Sequence, residues 1–131
     1  MIVDSSALIA ILRREPDARS LVDEMKAVHS ISISTATFFE ASIVVDSRGN
    51  PAASRELDDF CNQIGLKFRA VDETQMRIAR QAYRDFGKGS GHPARLNFGD
   101  CFAYALAKAL DEPLLYKGTD FSHTDVQTAL T

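Results

Sequence analysis

The sequence predicts an α/β fold in which a parallel sheet of about four or five strands lies between two layers of helices. Short apolar runs alternate with longer segments of helical periodicity along the whole chain. Strands that are separated by helices pair in parallel, and their crossover helices cover both faces of the sheet. The length of 131 residues and the apolar content of 45% are those of an ordinary globular domain. We therefore expect residues 1–131 to form one three-layer α/β/α sandwich.

Four segments have the pattern of β-strands. In chain order they are residues 1–3, 30–34, 66–71 and 113–116. The first is an apolar run that Asp4 ends, and the second alternates Ile with Ser, as a pleated strand with β-branched residues does. The third is short and alternates apolar with mostly basic residues. The fourth is an apolar run that leads to Thr119 and Asp120.

Six segments repeat apolar residues at helical spacing. They are residues 7–12, 17–28, 35–48, 52–64, 73–86 and 97–110. Pro16, Gly49 and Gly65 are the residues that stop the first, third and fourth of these helices. Asp72 caps the fifth helix, and Gln75 lies three residues later as the second half of a capping box.

The segment between the last two predicted helices is rich in glycine. Residues 87–93 contain three glycines and one proline, which predicts a flexible loop. The loop does not match a phosphate-binding Walker motif, because that motif follows a strand and opens a helix, whereas this segment follows a helix. The sequence assigns the loop no further role.

Composition and charge exclude several classes of protein. The net charge of −3 and the pI near 5.5 argue against a protein that holds nucleic acid mainly through a basic surface. No stretch reaches the roughly 18 apolar residues of a membrane span, and Asp4 lies where a secretory signal would be basic. We expect a soluble cytoplasmic protein. Cys61 and Cys101 lack a neighbouring Cys or His, so we expect buried free thiols.

Acidic residues lie at the ends of predicted elements, where open α/β folds place their functional groups. Asp4 and Asp120 follow strands, and because parallel strands end at a common edge these two residues can face each other. Spacing alone does not determine whether Asp100, in the first turn of the last helix, reaches that edge. Each acid also has a structural explanation: Asp4 and Asp100 suit helix caps, Asp120 suits a turn, and Glu40 suits a solvated helix face.

Four blocks of sequence resemble a known family. They are MIVDSSAL at residues 1–8, TFFEAS at 37–42, LNFGDC at 96–101 and LLYKGTDF at 114–121. Each block alone is weakly specific, whereas their order and spacing together are strong. Over its whole length the chain resembles a PIN-domain ribonuclease of the VapC type, the nuclease component of prokaryotic type II toxin–antitoxin pairs.

The resemblance implies a divalent metal site at one edge of a PIN-like sheet. The family's acids and their hydroxyl neighbours fall on Asp4, Glu40, Asp100, Asp120, Ser5 and Thr119. Mg²⁺ prefers oxygen ligands in near-octahedral geometry, and Mn²⁺ should substitute for it. The implied activity is hydrolysis of RNA phosphodiester bonds. The implied partners are the RNA substrate, a cognate antitoxin protein that neutralises the toxin, and a second copy of the chain in a homodimer.

Several basic and aromatic residues are candidates for RNA contacts. The basic residues in segments that could border the acidic edge and contact phosphates are Arg13, Arg14, Lys88, Arg95 and Lys117. Each residue of this kind is more often simply a solvated surface charge. The aromatic side chains that we expect to pack rather than to stack on bases are Phe38, Phe39, Phe102 and Tyr104.

Two other classes of function stay open at this point. A non-catalytic PIN-like module could use the acids only to dock a basic partner segment, although docking charge alone would not require all four acids. A phosphoacceptor receiver domain would need its accepting Asp after a central strand near mid-chain, whereas Asp58 and Asp59 lie in a helical pattern. The leading hypothesis is therefore the metal-dependent ribonuclease.

Overall fold

A four-stranded parallel sheet forms the centre of the computed structural model, which describes residues 1–130. The strands are β1 (Ile2–Val3), β2 (Ser32–Ser34), β3 (Lys67–Arg69) and β4 (Leu114–Leu115), in the spatial order β3-β2-β1-β4. Ile2 lies opposite Ser32 on one side and opposite Leu114 on the other. The four predicted strands are all present, each shorter than its sequence pattern.

Six helices and one 3₁₀ turn surround this sheet. They are α1 (Ser5–Leu12), α2 (Ala18–Lys26), α3 (Thr35–Asp46), α4 (Pro51–Gln63), α5 (Glu73–Phe86), α6 (Phe98–Leu110) and the 3₁₀ turn Phe121–His123. The Asp72 side chain caps α5 as predicted, by accepting from the backbone N–H of Gln75. The predicted reciprocal half of that capping box is wrong, because the Gln75 amide donates to the Ala70 carbonyl instead.

Two hydrophobic clusters lie on opposite faces of the sheet. Val3 and Leu115 belong to the cluster that includes α1 to α4, whereas Ile2 and Leu114 belong to the cluster formed with α5 and α6. Successive residues of a strand point to opposite faces, so these short strands supply both clusters. This arrangement of a parallel sheet between helices confirms the predicted three-layer α/β/α sandwich.

The order of the strands determines where a binding site can form. From β1 the chain adds β2 and then β3 on one side, and it returns to place β4 on the other side of β1. The direction in which successive strands are added to the sheet therefore reverses between β1 and β4. Open α/β sheets bind ligands at the carboxyl ends of the strands at such a switch point. Because α6 precedes parallel β4 through a short turn, α6 runs back against the strands. Its first turn lies at the carboxyl edge.

The glycine-rich segment is irregular, as predicted, but it is tied to its surroundings. The backbone N–H of Lys88 donates to the Leu96 carbonyl at 2.8 Å, and the Leu96 N–H donates to the Phe86 carbonyl at 2.8 Å. The ring of Phe86 also contacts His92 edge to face. The segment is therefore a loop, as predicted, whose flanking residues are paired with each other.

Other expectations concern side-chain burial and membranes. Cys61 and Cys101 are buried free thiols, as predicted. Tyr104 is buried, whereas Phe39 is 66% exposed and so does not pack in the core. No helix within residues 1–130 has the length and apolar character needed to cross a membrane.

Candidate metal centre

An open cleft of about 590 Å³ lies at the carboxyl edge of the sheet, beside β1 and β4. Its lining includes all four of the predicted acids, Asp4, Glu40, Asp100 and Asp120. They reach it from four different elements: the end of β1, the middle of α3, the first turn of α6 and the segment after β4. The fold therefore brings together residues that are far apart in the sequence.

Asp4 is held firmly at the end of β1. Its backbone N–H donates to the Leu115 carbonyl of β4 at 2.9 Å, which fixes its position in the sheet. Its Oδ2 accepts from the backbone N–H of Ser6 at 3.0 Å and from the Ser6 hydroxyl at 2.6 Å. Its Oδ1 is buried and has no hydrogen-bond partner. The capping role of Asp4 thus accounts for one carboxylate oxygen and leaves the other unexplained.

Burial raises the pKa of Asp4 above its ordinary value. The hydrogen bonds from Ser6 partly offset this rise, and the neighbouring Glu40 adds to it. Removing a carboxylate from water disfavours its charged form unless a compensating charge is present. An ionised Asp4 is therefore costly to this fold in the absence of a cation.

Glu40 lies inside α3 and points to the start of α1. The Ser5 hydroxyl donates to its Oε1 at 2.7 Å. This bond links the predicted hydroxyl neighbour to the predicted acid and orients the Glu40 carboxylate. Glu40 therefore does not have the role of a freely solvated helix residue.

Asp100 forms a capping box with Asn97 at the start of α6. The Asn97 backbone N–H donates to Asp100 Oδ2 at 3.0 Å, and the Asp100 backbone N–H donates to Asn97 Oδ1 at 2.8 Å. Burial raises the pKa of Asp100 to about 7. The bond from Asn97 lowers this pKa, whereas the charges of the other three acids, Asp4, Asp120 and Glu40, raise it further. Asp100 is thus a cap and also a member of the electrostatic cluster.

Asp120 and Thr119 lie in the segment that follows β4. Asp120 is exposed, begins the 3₁₀ turn and makes no side-chain capping bond. Thr119 is not among the residues that line the cleft. Its carbonyl accepts from the Ser122 backbone N–H at 3.1 Å and from the Ser122 hydroxyl at 2.6 Å. The structure therefore places Asp120 in the cleft and gives Thr119 a backbone contact in the turn.

The five predicted basic residues are not equivalent. Arg13 and Lys117 line the cleft. Arg14 instead pairs with Glu56 at 3.1 Å, with 78% of its side chain exposed. Lys88 and Arg95 lie outside the lining of the cleft.

Two further residues position the acids, and the sequence reasoning missed only Ser6. Ser6 donates to Asp4, and its hydroxyl also accepts from the backbone N–H of Lys117 at 3.0 Å, which ties β1 to the segment after β4. Asn97 caps the helix that carries Asp100. The signal for Ser6 was its place two residues after an Asp, a spacing at which Asp side chains often accept from the backbone.

The donor set fits a hard divalent cation. Carboxylate oxygens are the ligands that Mg²⁺ prefers, and this ion keeps several waters and so needs only a few protein ligands. The buried Asp4 Oδ1 has no hydrogen-bond donor, as expected of an oxygen that serves a cation. Within residues 1–130, however, no three His, Cys, Asp or Glu side chains are already close enough to hold an ion.

The fold and the site together define an α/β protein with an acidic cleft at the switch point of its sheet. The PIN domain family matches residues 1–127. The chain is 52% identical over 130 residues to "Ribonuclease VapC28" of Mycobacterium tuberculosis, covering 99% of this chain and 98% of that protein. It is 44% identical to "Ribonuclease VapC42" of the same organism, covering 100% of both chains.

The chain therefore belongs to the PIN-domain family, and the predicted resemblance is confirmed. Solved structures share the fold. A VapBC2 complex from Rickettsia felis bound to a promoter DNA fragment has a TM-score of 0.75 at 15% identity, covering 97% of this chain and 94% of that chain. VapC20 of M. tuberculosis, described as a toxin that cleaves the sarcin–ricin loop, has a TM-score of 0.73 at 12% identity, with 95% of each chain covered.

Proposed function

We propose that this protein is the toxin of a type II toxin–antitoxin system and acts as a metal-dependent endoribonuclease that hydrolyses RNA phosphodiester bonds. The full-length relatives named as VapC ribonucleases support this function. The observation that carries the proposal is the cleft in which four carboxylates converge, with one buried Asp4 oxygen left without a donor. Ribonucleases of this family are generally dependent on a divalent metal.

The acids Asp4, Glu40, Asp100 and Asp120 would hold the ion, which we propose is Mg²⁺ with Mn²⁺ as a substitute. When bound, such an ion lowers the pKa of a coordinated water and neutralises charge that develops on the phosphate oxygens. The chain itself orients the ligands. Ser6 fixes one oxygen of Asp4, Ser5 fixes one oxygen of Glu40, and Asn97 fixes one oxygen of Asp100.

Two basic residues at the cleft are the proposed contacts for the RNA backbone. Arg13 and Lys117 line the same cleft as the acids. Lys117 is engaged with Glu15 at 3.0 Å and Asp17 at 3.3 Å, so a phosphate would compete with these carboxylates for the ammonium group. Arg14, Lys88 and Arg95 would contact only RNA that extends beyond the cleft, and we propose a lesser role for them.

The partner proteins follow from the family. One solved neighbour is described as a toxin–antitoxin complex from Klebsiella pneumoniae, and the Rickettsia felis neighbour is a VapBC2 complex. These descriptions support a cognate antitoxin for this chain. The acidic cleft would attract a basic antitoxin side chain, which could occupy the place of the ion. We also propose a homodimer, which rests on the family resemblance.

The test uses antitoxin-free protein incubated with total RNA in Mg²⁺ or Mn²⁺. We expect cleavage that EDTA abolishes and that Asp4→Asn reduces strongly. Asp23→Asn is the matched control, because Asp23 is an exposed acid on α2 outside the cleft, and this variant should cleave like the unmodified protein. Cleavage that survives both EDTA and Asp4→Asn would disprove the metal mechanism. If no RNA is cut under any condition, the non-catalytic docking module is the better explanation.

A further inference from the structure

The start of α6 packs directly against the carboxylate of Glu40. A Cβ atom built on Gly99 would lie 1.9 Å from Glu40 Oε2, 2.7 Å from its Cδ and 3.0 Å from its Oε1. Atoms that are not bonded to each other do not approach so closely, so any side chain at residue 99 would displace this carboxylate. The space occupied by the Glu40 carboxylate exists because residue 99 has no side chain.

The backbone conformation at residue 99 does not explain why this residue is a glycine. The described glycines with positive φ are Gly49, Gly65, Gly89, Gly91 and Gly118. Gly99 is instead the second residue of α6, where an L-residue would be accommodated by the backbone. A glycine within a helix is less stable than alanine there by roughly 0.5–1 kcal/mol. The chain therefore keeps a residue that weakens the helix at a position where only space requires it.

The opposite side of the Glu40 carboxylate is also fixed. The Ser5 hydroxyl at the start of α1 donates to Oε1, while Oε2 faces Gly99. The carboxylate is thus held between a hydroxyl of α1 and the backbone of α6. The positive end of a helix dipole favours negative charge near its first turn, and the Glu40 carboxylate lies at this end of α6. The next residue of α6 is Asp100, which lines the same cleft.

We propose that Gly99 is a positioning residue of the metal centre: its missing side chain allows the Glu40 carboxylate to lie against the first turn of α6, beside Asp100. This inference rests on the proposed function, because it assumes that Glu40 and Asp100 share an ion. Gly99 touches no reacting atom and acts only through Glu40.

The test is the Gly99→Ala variant, studied by calorimetric titration with Mn²⁺ in the absence of RNA. We expect Mn²⁺ affinity to fall on the order of 10- to 100-fold, the range found when groups that orient metal ligands are changed. The melting temperature in EDTA should not fall in proportion, because alanine favours the helix and the Glu40 side chain can rotate away. Cleavage of RNA should require correspondingly more Mn²⁺.

A double-mutant cycle with Glu40→Ala identifies the cause. Once the Glu40 carboxylate is removed, adding Gly99→Ala should lower Mn²⁺ affinity no further. Gly65→Ala provides the converse control, because Gly65 has a φ of +63° with open space around it and lies outside the cleft. This variant should lower the melting temperature and leave Mn²⁺ affinity unchanged, which separates loss of stability from loss of the site.

Each outcome decides a specific point. Mn²⁺ affinity of Gly99→Ala within twofold of the unmodified protein would overturn the inference while leaving the proposed function intact. Failure of the unmodified protein to bind Mn²⁺ would instead overturn the proposed metal centre. If Gly99→Ala does not fold, the Gly99→Ala/Glu40→Ala double variant should fold, since it lacks the colliding carboxylate. If neither variant folds, Gly99 is required for a reason other than Glu40, and the inference is wrong.

Discussion

The cleft contains acids in two different electrostatic situations. At its rim, Glu15 shares the ammonium group of Lys117 with Asp17, which lies just outside the lining. Chiefly the hydrogen bond to Glu15 raises the pKa of Lys117. At its centre, the ion pairs found within residues 1–130 include none of the four clustered acids. Their hydrogen bonds come from hydroxyl and backbone N–H groups, such as those from Ser6 to Asp4.

This difference separates acids that have a cationic partner in the chain from acids that have none. Glu15 and Asp17 have a cation of the chain itself, Lys117, as their shared partner. The central acids have only dipoles as partners, which orient a carboxylate but do not cancel its charge. Burial raises the pKa values of Asp4 and Asp100, and the neighbouring acids raise them further. A bound cation would give the central acids the opposite charge that Lys117 gives to Glu15 and Asp17. Perturbed acids in a cleft are typical of functional sites.

The largest effect should come from changing the charge at the centre. In Asp100→Asn we expect cleavage to fall on the order of 100-fold or more, since a lost group that stabilises transition-state charge costs about 10²- to 10³-fold. Saturating metal at a hundredfold excess over Kd should stabilise the unmodified protein by about 2.7 kcal/mol, and the variant should lose most of this gain. Thermal melts with Mn²⁺ and with EDTA measure it.

The same variant should not unfold the protein in EDTA, because asparagine can still accept the N–H of Asn97 and complete the cap. A large loss of stability in EDTA would show that Asp100 is mainly structural. That outcome would remove the distinction between the centre and the rim.

Loss of the Ser6 hydroxyl, a hydrogen-bond donor at the centre of the cleft, should have the next largest effect. Ser6→Ala removes the hydroxyl that donates to Asp4 and accepts from the backbone of Lys117. Hydrogen bonds to charged groups are worth about 1.5–3 kcal/mol, so we expect the free energy of unfolding to fall by about this amount in urea titrations. Ser20→Ala is the control, because its exposed hydroxyl only donates to a helix carbonyl. Equal effects of the two changes would contradict a special role for Ser6.

The pH dependence of the stability of the metal-free protein is a further test of the difference between the central acids and the rim acids. The pKa of Asp100 is raised from 3.8 to about 7 in the folded protein, so the folded state holds its proton more tightly than the unfolded state. Stability from this group is therefore greatest below about pH 4 and is lost as the pH rises through about 7. Urea unfolding in EDTA should show this decline, and Asp100→Asn should make it shallower. An identical pH profile for both proteins would exclude the shift.

Changing the rim should have the smallest effect on stability. Lys117→Ala removes the ammonium group from Glu15 and Asp17, but all three side chains are partly exposed, and such pairs contribute little because water screens them. We expect a small change in melting temperature and an unchanged Mn²⁺ affinity, together with weaker RNA binding measured by fluorescence anisotropy at low salt. A large fall in Mn²⁺ affinity would mean that the rim and the centre are one unit.

The sequence predicted the class of fold because local patterns determine it. Alternating Ile and Ser identified β2, and the apolar runs at the ends of the chain identified β1 and β4. Asp4 and Asp100 were correctly recognised as cap residues, since capping depends on neighbours within three residues. The prediction that Glu40 and Asp100 lie at the same edge came from the family resemblance and not from their spacing in the sequence.

The features that the sequence did not predict are contacts between segments that are far apart along the chain. Nothing local to Gly99 indicates that Glu40, on another helix, would lie against it. The pairing of Lys88 with Leu96 was hidden in the same way, because glycines and a proline predict a break without indicating what the flanking residues contact. Ser6 was closest to being predictable, yet its bond to the backbone of Lys117 joins segments from opposite ends of the chain.

The pairing of β1 with β4 also governs when the cleft can appear during protein synthesis. Ile2 and Leu114 are neighbours in the sheet, and the clustered acids extend from Asp4 to Asp120. Nascent chains grow at about 5–20 residues per second, so several seconds pass between the synthesis of Asp4 and the synthesis of Asp120. A shortened translation product that ends before β4 would lack both the pairing of β1 with the edge strand β4 and Asp120.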